Sequence, residues 1–246
     1  MATRSVLLVC FLSVSCAIAT IPDYIHICHR NDPEVSKCII QSVEALRPRL
    51  LSGIPELDVP SLEPLILPEI VISRGSGNTN YRAIGKNVNV YGAGTFQVTK
   101  LKLDIPNQTY FIGVKFPILK FMSDIDVNAR ILVVPVKGIG KLEANATNCI
   151  GNAILKGDII EEDGVQKMHF SSLDLDLQID DIDVHLENIF GGDPVIGQAI
   201  NQALYENRRQ IFDVIKPVAE RTASDVLLDL INKIVKNFSY DEVFPE

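Results

Sequence analysis

The chain has 246 residues, of which 47% are apolar, and its 23 basic and 31 acidic side chains give a net charge of −8. That is ample for one sizeable core, and no linker rich in proline, glycine and serine divides the chain, so a single domain is predicted. The acidic balance, without any basic cluster, disfavours binding to nucleic acid or to anionic membrane surfaces.

The first 19 residues are typical of a secretory signal peptide. Arg4 supplies the positive charge, residues 6–14 form a short apolar run, and Ala-Ile-Ala at 17–19 gives a small-x-small cleavage pattern. The run is too short to cross a bilayer, and no later segment is continuously apolar enough to do so. The mature domain is therefore expected to be residues 20–246, exported and not stably inserted in a membrane.

Three cysteines follow the signal peptide, and two of them are close in sequence. Cys28 and Cys38 are predicted to form a disulfide, which in so short a loop stabilises a fold by roughly 3 kcal/mol. A metal site is the alternative, since His26 and His29 flank Cys28. That spacing matches no standard zinc pattern, so no metal is predicted. Cys149 has no partner and is interpreted as a small buried side chain.

The first predicted helix begins after Asp32 and Pro33, which suit the N-cap and the first helical position. Apolar residues recur at helical spacing as far as Leu50, and Gly53 ends the helix. Prolines then recur through residues 53–64, which predicts an extended segment.

From residue 65 to residue 190 the apolar pattern has a period of two. In residues 173–179, for example, leucine and isoleucine alternate with aspartate and glutamine. Such alternation predicts antiparallel sheet with one dry face and one wet face. The parity changes at Asp180, where a bulge would keep both apolar sets inside and bend the sheet. Residues 161–164 are predicted to form a hairpin turn.

Residues 194–238 hold the longest helical pattern in the chain. Asp193 suits the N-cap, Pro194 suits the first turn, and apolar residues then recur every three or four positions. This helix would be roughly 65 Å long, whereas a compact globule of this size is only about 45 Å across. The predicted fold is therefore an elongated α+β domain, in which a highly curved antiparallel sheet wraps a long amphipathic helix that bends at Pro217.

The sequence offers few candidates for catalysis. It has no nucleophile elbow, zinc-protease motif or phosphate-binding loop, and it contains only four histidines. His185 shares a strand face with acidic residues such as Asp183, but alternation alone explains charges on a solvated face. The sequence therefore predicts no enzyme and no cofactor.

Three glycosylation sequons begin at Asn107, Asn145 and Asn237. The first follows a proline in a predicted turn, and the second is expected to face water because it shares its strand parity with Thr147. Three such sites in an exported chain predict that at least one is occupied.

Several short segments, in their order and spacing, resemble the takeout/juvenile hormone binding protein family of insects. The cysteine pair is followed by LRP at 46–48 and GIP at 53–55. The stretch ILVVPVKGIGK at 131–141 is similar to the central strand of the family. FGGDPVIG at 190–197 and YDEVFPE at 240–246 are similar to its C-terminal signatures. The resemblance covers essentially the whole mature chain, and the single cysteine pair is closer to the takeout branch.

This resemblance implies a tubular lipid-binding fold with an internal tunnel along the long helix. It also implies a secreted, monomeric carrier of a small lipophilic molecule, such as a juvenile hormone-like terpenoid, a fatty acid or another lipid. Roles in circadian output, feeding and behaviour are implied as well. Ile125 stands where relatives often carry tyrosine, which favours a more purely apolar ligand.

The residues predicted to line the tunnel are inward apolar side chains of the strands and of the long helix: Phe96, Phe111, Phe116, Phe121, Leu132, Ile200, Leu204, Ile211 and Ile215. The same residue types would serve equally well in a solid core, so a ligand-free extracellular signalling protein is an alternative. A hydrolase of hormone esters is a further alternative, and it would need a serine or cysteine hydrogen-bonded to a histidine at a tunnel mouth.

Overall fold

The computed structural model describes residues 21–74, 81–131 and 134–246. The predicted signal peptide and Leu132 lie outside these ranges. The helices are α1 (Val35–Ser52), α2 (Pro194–Glu206), α3 (Arg208–Val235) and the short α4 (Tyr240–Val243). The strands are β1 (Leu65–Leu67), β2 (Ile70–Arg74), β3 (Tyr81–Tyr91), β4 (Gln97–Asp104), β5 (Thr109–Ile131), β6 (Val134–Glu162), β7 (Val165–Gln178) and β8 (Asp181–Glu187).

The described strands form one antiparallel sheet around two very long strands, β5 and β6, which pair along nearly their whole length. β3 and β4 pair with the two halves of β5, and β7 and β8 pair with the two halves of β6. The 29 residues of β6 would reach about 95 Å if straight. The 13 and 28 residues of α2 and α3 reach only roughly 60 Å together. The long strands therefore coil around the helices, and the predicted fold class is confirmed.

The break between β7 and β8 and the turn between β6 and β7 lie where the sequence predicted them. β7 ends at Gln178 and β8 begins at Asp181, and opposite this break Asn148 takes a left-handed conformation with φ of 47°. The inner side chains of both strands consequently face the helices despite the change of parity. Asp163 and Gly164, both at positive φ, form the predicted hairpin turn between β6 and β7.

The C-terminal helical rod is interrupted at Asn207, where the sequence predicted no break. The Asn207 side chain donates to the carbonyl of Ala203 over 2.8 Å, and its own backbone leaves the helical region at φ −113° and ψ 18°. An asparagine that bonds a nearby carbonyl competes with the helical hydrogen bonds, which ends α2 here. Pro217 lies inside α3. The apolar period continues across Asn207, so periodicity alone did not reveal the interruption.

The N-terminal disulfide is confirmed, whereas α1 begins at Val35 with Glu34 as its N-cap, two residues later than the cap at Asp32 that the sequence predicted. Cys28 and Cys38 form a disulfide, and Asp32 accepts a hydrogen bond from the Glu34 amide ahead of α1. Gly53, at φ 86°, ends α1. None of the helices that the structure describes combines the length and the apolar character needed to span a membrane.

Side chains of α2 and α3 bond directly to the outer edge of β7 and β8. Asn232 accepts from the amide of Phe170 and donates to its carbonyl, both over 2.9 Å. Asn201 makes the same pair of bonds to Leu186, over 2.8 and 3.0 Å. Glu220 accepts from the Leu177 amide over 2.9 Å. We call these three side chains the edge clamp, because they take the hydrogen-bonding place of a neighbouring strand and fix the helices against the sheet.

Substituting Asn232 by alanine is expected to lower the free energy of unfolding by about 1–3 kcal/mol, because two backbone groups of the buried Phe170 would lose their partner. Urea unfolding followed by circular dichroism measures this change. Gln210→Ala, at an exposed position of α3, is the matched control and should stay within about 0.5 kcal/mol of the wild type. A similarly small loss for Asn232→Ala would show that the edge clamp contributes little.

Candidate ligand-binding site

Two apolar cavities lie between the sheet and the helices. The first, which we call the end cavity, has a volume of about 350 Å³ and is bounded by α1, α4, the end of α3 and the strands β4–β7. The second, which we call the central cavity, has a volume of about 220 Å³ and lies between α3 and the inner faces of β2, β3 and β5–β8. Apolar spaces between packed elements are the usual form of binding sites for small lipophilic molecules.

The end cavity is formed by parts of the chain that are far apart in sequence. Val43 on α1, Ile112 on β5 and Met168 on β7 line it, together with Phe238 and Phe244 near the C-terminus. Among the described residues, no lysine, arginine, aspartate or glutamate contributes to this lining. His26 is the one histidine of the lining, and it is exposed to solvent. The interior of the cavity therefore suits an apolar guest.

A small polar cluster interrupts the apolar lining of the end cavity. Tyr110 and Tyr240 both line the cavity, and their hydroxyl groups meet at the amide of Gln108. The Tyr110 hydroxyl donates to Gln108 Oε1 over 2.6 Å, and Gln108 Nε2 donates to the Tyr240 hydroxyl over 3.3 Å. Burial raises the pKa of Tyr110 above its usual value, so this hydroxyl stays protonated throughout the physiological range.

The outer wall of the end cavity is held by Arg30, in the loop of the disulfide. Its guanidinium donates to the Asp241 carboxylate over 2.6 Å, to the Phe244 carbonyl over 2.7 Å and to the Glu246 carboxylate over 3.0 Å. It also lies 5.1 Å from the centre of the Tyr240 ring. These contacts tie the C-terminal residues to the N-terminal loop and keep α4 over the cavity.

The central cavity is more uniformly apolar. Its polar side chains among the described residues are Ser123 and Cys149. Burial raises the pKa of the Cys149 thiol to about 11, so the thiol is neutral near pH 7 and a poor nucleophile. Ile125 contributes to the lining, and its side chain has no polar group for a ligand.

The two cavities follow each other along the sheet. Leu175 packs against the cluster beside the end cavity, whereas Leu177, two residues further along β7, lines the central cavity.

The family model named haemolymph juvenile hormone binding protein (JHBP) matches residues 6–245, nearly the whole sequence. The chain belongs to the JHBP family. The resemblance seen in the sequence is therefore confirmed.

Solved structures agree with this assignment at the level of the fold. Takeout 1 of Epiphyas postvittana is similar with a TM-score of 0.75 and 17% identity, over 89% of this chain and 99% of that one. A lipopolysaccharide binding protein gives a TM-score of only 0.42 at 13% identity, over 80% of this chain and 38% of that one, and we draw nothing from it. No curated protein sequence matches the chain at a significant level.

In this member of the JHBP family, the residues predicted to line a tunnel fall into three groups. Phe121 and Ile215 line the central cavity. Ile200 and Leu204 are buried in a hydrophobic cluster that includes residues of α2 and β8, and Ile211 packs against that cluster.

The third group lies away from both cavities. The Arg47 guanidinium covers the ring of Phe96 at 4.0 Å, and Lys102 lies 5.9 Å from the ring centre of Phe111. Phe116 is half-buried on β5 and lines neither cavity. Sequence reasoning did not select the end cavity, although the apolar stripe of α1 and the C-terminal YDEVFPE segment were both visible in the sequence.

The hydrolase alternative requires a serine or cysteine hydrogen-bonded to a histidine. No serine or cysteine side chain among the described residues is hydrogen-bonded to a histidine ring; the Ser42 hydroxyl donates to the backbone carbonyl of His26. His26, Cys28 and Cys38 lie close enough together to suggest a metal site. Because both sulfur atoms are in the disulfide, they are not free to bind a metal ion.

The three sequons differ in exposure. Asn107 lies in an exposed turn and Asn237 at the exposed end of α3, whereas Asn145 is half-buried on β6. Exposure favours Asn107 and Asn237 as acceptors of a glycan, and their occupancy stays a prediction.

Proposed function

We propose that this protein is a secreted, non-enzymatic and monomeric carrier of a small elongated lipophilic molecule, held in the apolar space between the sheet and the helices. The observation that carries the proposal is the end cavity of about 350 Å³ with its uncharged lining. This volume lies within the usual range of ligand pockets. The nearly continuous apolar lining suits an apolar occupant.

Burial of apolar surface would supply the affinity. Each methylene group removed from water contributes roughly 0.8 kcal/mol, so a chain of ten contributes about 8 kcal/mol before the cost of ordering the ligand. Affinities in the micromolar range follow for a ligand of this length. No charged group or metal is needed for binding of this kind.

Membership of the JHBP family supports a terpenoid hormone, a fatty acid or a related lipid as the ligand. The apolar side chain of Ile125 in the central cavity favours a ligand with little polarity at that end. Transport through an extracellular fluid fits the disulfide and the predicted signal peptide. A role in circadian, feeding or behavioural output belongs to the same proposal and rests on the family resemblance.

The direct test is to express the full chain with its own leader in insect cells and to purify the protein from the medium. Native mass spectrometry should show a non-covalent adduct, and organic extraction should remove it and release a lipophilic compound. The extracted protein should then bind the apolar fluorescent probe N-phenyl-1-naphthylamine. Protein that carries no adduct and binds no probe would favour the ligand-free alternative.

A further inference from the structure

The polar cluster of the end cavity is rigid before any ligand arrives. Gln108 is only 8% exposed and has a left-handed backbone with φ of 44°. Its amide nitrogen Nε2 also donates to the Ile105 carbonyl over 2.7 Å, and its backbone carbonyl accepts from the Gly157 amide over 3.0 Å. The Gln108 side chain is thus fixed from several sides, and it holds the two tyrosine hydroxyls in place.

One hydrogen-bond donor of this cluster is left over. The Tyr110 proton is used by Gln108 Oε1, and both protons of Gln108 Nε2 are used by Ile105 and Tyr240. The Tyr240 hydroxyl accepts from Gln108 but donates to none of the residues that the structure describes. Tyr240 is only 6% exposed, so water outside the protein is a poor substitute for a partner.

The charge around this donor restricts the ligand further. Arg30 lies on the face of the Tyr240 ring, and three of its five N–H donors are used by Asp241, Phe244 and Glu246. The described lining of the end cavity contains no lysine or arginine, and its one histidine, His26, is exposed to solvent. A carboxylate in the cavity would therefore be buried without a counter-ion, which is costly.

We propose that the end cavity takes an uncharged lipid whose polar end is a neutral acceptor oxygen, such as that of an ester, ketone or aldehyde, and that Tyr240 donates a hydrogen bond to this oxygen. The proposal rests on the carrier function and narrows it, because it separates neutral lipids from ionised fatty acids. The hydrocarbon part of the ligand would lie against Val43, Ile112 and Met168, which line the same cavity.

The test uses three ligands of nearly equal length: methyl dodecanoate, dodecanoate and tridecane. Each displaces N-phenyl-1-naphthylamine from the delipidated full-length protein. At pH 7.4 the methyl ester should bind at least about threefold more tightly than tridecane, as expected for one neutral hydrogen bond. Dodecanoate should bind more weakly than the ester and should gain affinity as the pH falls towards about 5, because protonation removes its charge.

Tyr240→Phe isolates the hydroxyl, since it keeps the ring that packs edge-on against Phe244 at 6.5 Å. This variant should bind the ester about threefold to tenfold more weakly, and its affinity for tridecane should be unchanged. Tyr205→Phe, at a tyrosine that is 50% exposed on α2, is the matched control and should change neither affinity. An equal loss for all three ligands would mean that Tyr240 is only a structural residue, and the inference would fail.

The affinities of the wild-type protein for the three ligands test the inference without any variant. Equal binding of the ester, the acid and the alkane would overturn this inference and leave the carrier function in place. Absence of binding by all three ligands and by the fluorescent probe would overturn the carrier function as well. The two proposals can therefore fail separately.

Discussion

Substituting Val43 by tryptophan is expected to lower the affinity for N-phenyl-1-naphthylamine by at least about tenfold. Val43 lies on α1 and faces the end cavity, so the larger indole group would occupy the space that a ligand needs. An occupied cavity removes the apolar burial that supplies the binding energy, and a tenfold loss corresponds to only about 1.4 kcal/mol. Because the indole fills an existing void, the thermal midpoint of unfolding should stay the same or rise.

Two further variants control this result. Ala45→Trp adds the same group at an exposed position of α1 and should leave probe affinity unchanged. Ala219→Phe fills the central cavity from α3 instead and shows how much of the binding occurs there. If Val43→Trp and Ala219→Phe both retain full affinity while folded, the probe binds elsewhere and the carrier proposal loses its site.

Substituting Leu204 by alanine is expected to lower the free energy of unfolding by about 2–5 kcal/mol. Leu204 is 4% exposed and packs in the cluster that includes Val184 and Leu186 of β8. Truncation there would remove buried contacts and leave a void beside those side chains, so both the lost burial and the void contribute to the effect. Urea unfolding measures the change.

The matched control is Leu227→Ala, on α3, where the side chain is 39% exposed and the expected loss is below about 1 kcal/mol. A comparably small loss for Leu204→Ala would mean that Leu204 borders an open space instead of a packed cluster. That outcome would extend the central cavity towards α2. It would also return Leu204 to the set of ligand-lining residues.

Local periodicity made the sheet and the helical rod predictable, because alternation with a period of two and repeats every three or four residues directly reflect which face is buried. The disulfide was predictable because its cysteines are close in sequence. The residues that line the cavities were harder to predict. Ile200 and Ile215 are the same residue type on the same rod, yet the first is buried in a cluster away from the cavity linings and the second lines the central cavity.

What separates such residues is the curvature of the sheet, which depends on every strand at once and leaves no local pattern in the sequence. The lining of the end cavity likewise could not be predicted from a local sequence pattern. Val43 and Tyr240, which both line it, are almost 200 residues apart in the chain. No spacing rule connects α1 with α4, so only the folded chain brings their side chains together.

The edge clamp has a consequence for the behaviour of the protein at high concentration. A free strand edge is a template on which the strands of other chains can pair, and long edges are the usual starting points for aggregation. Asn201, Glu220 and Asn232 already occupy backbone groups along the outer side of β7 and β8. The edge clamp therefore leaves fewer free backbone groups on this side of the sheet with which a strand of another copy could pair.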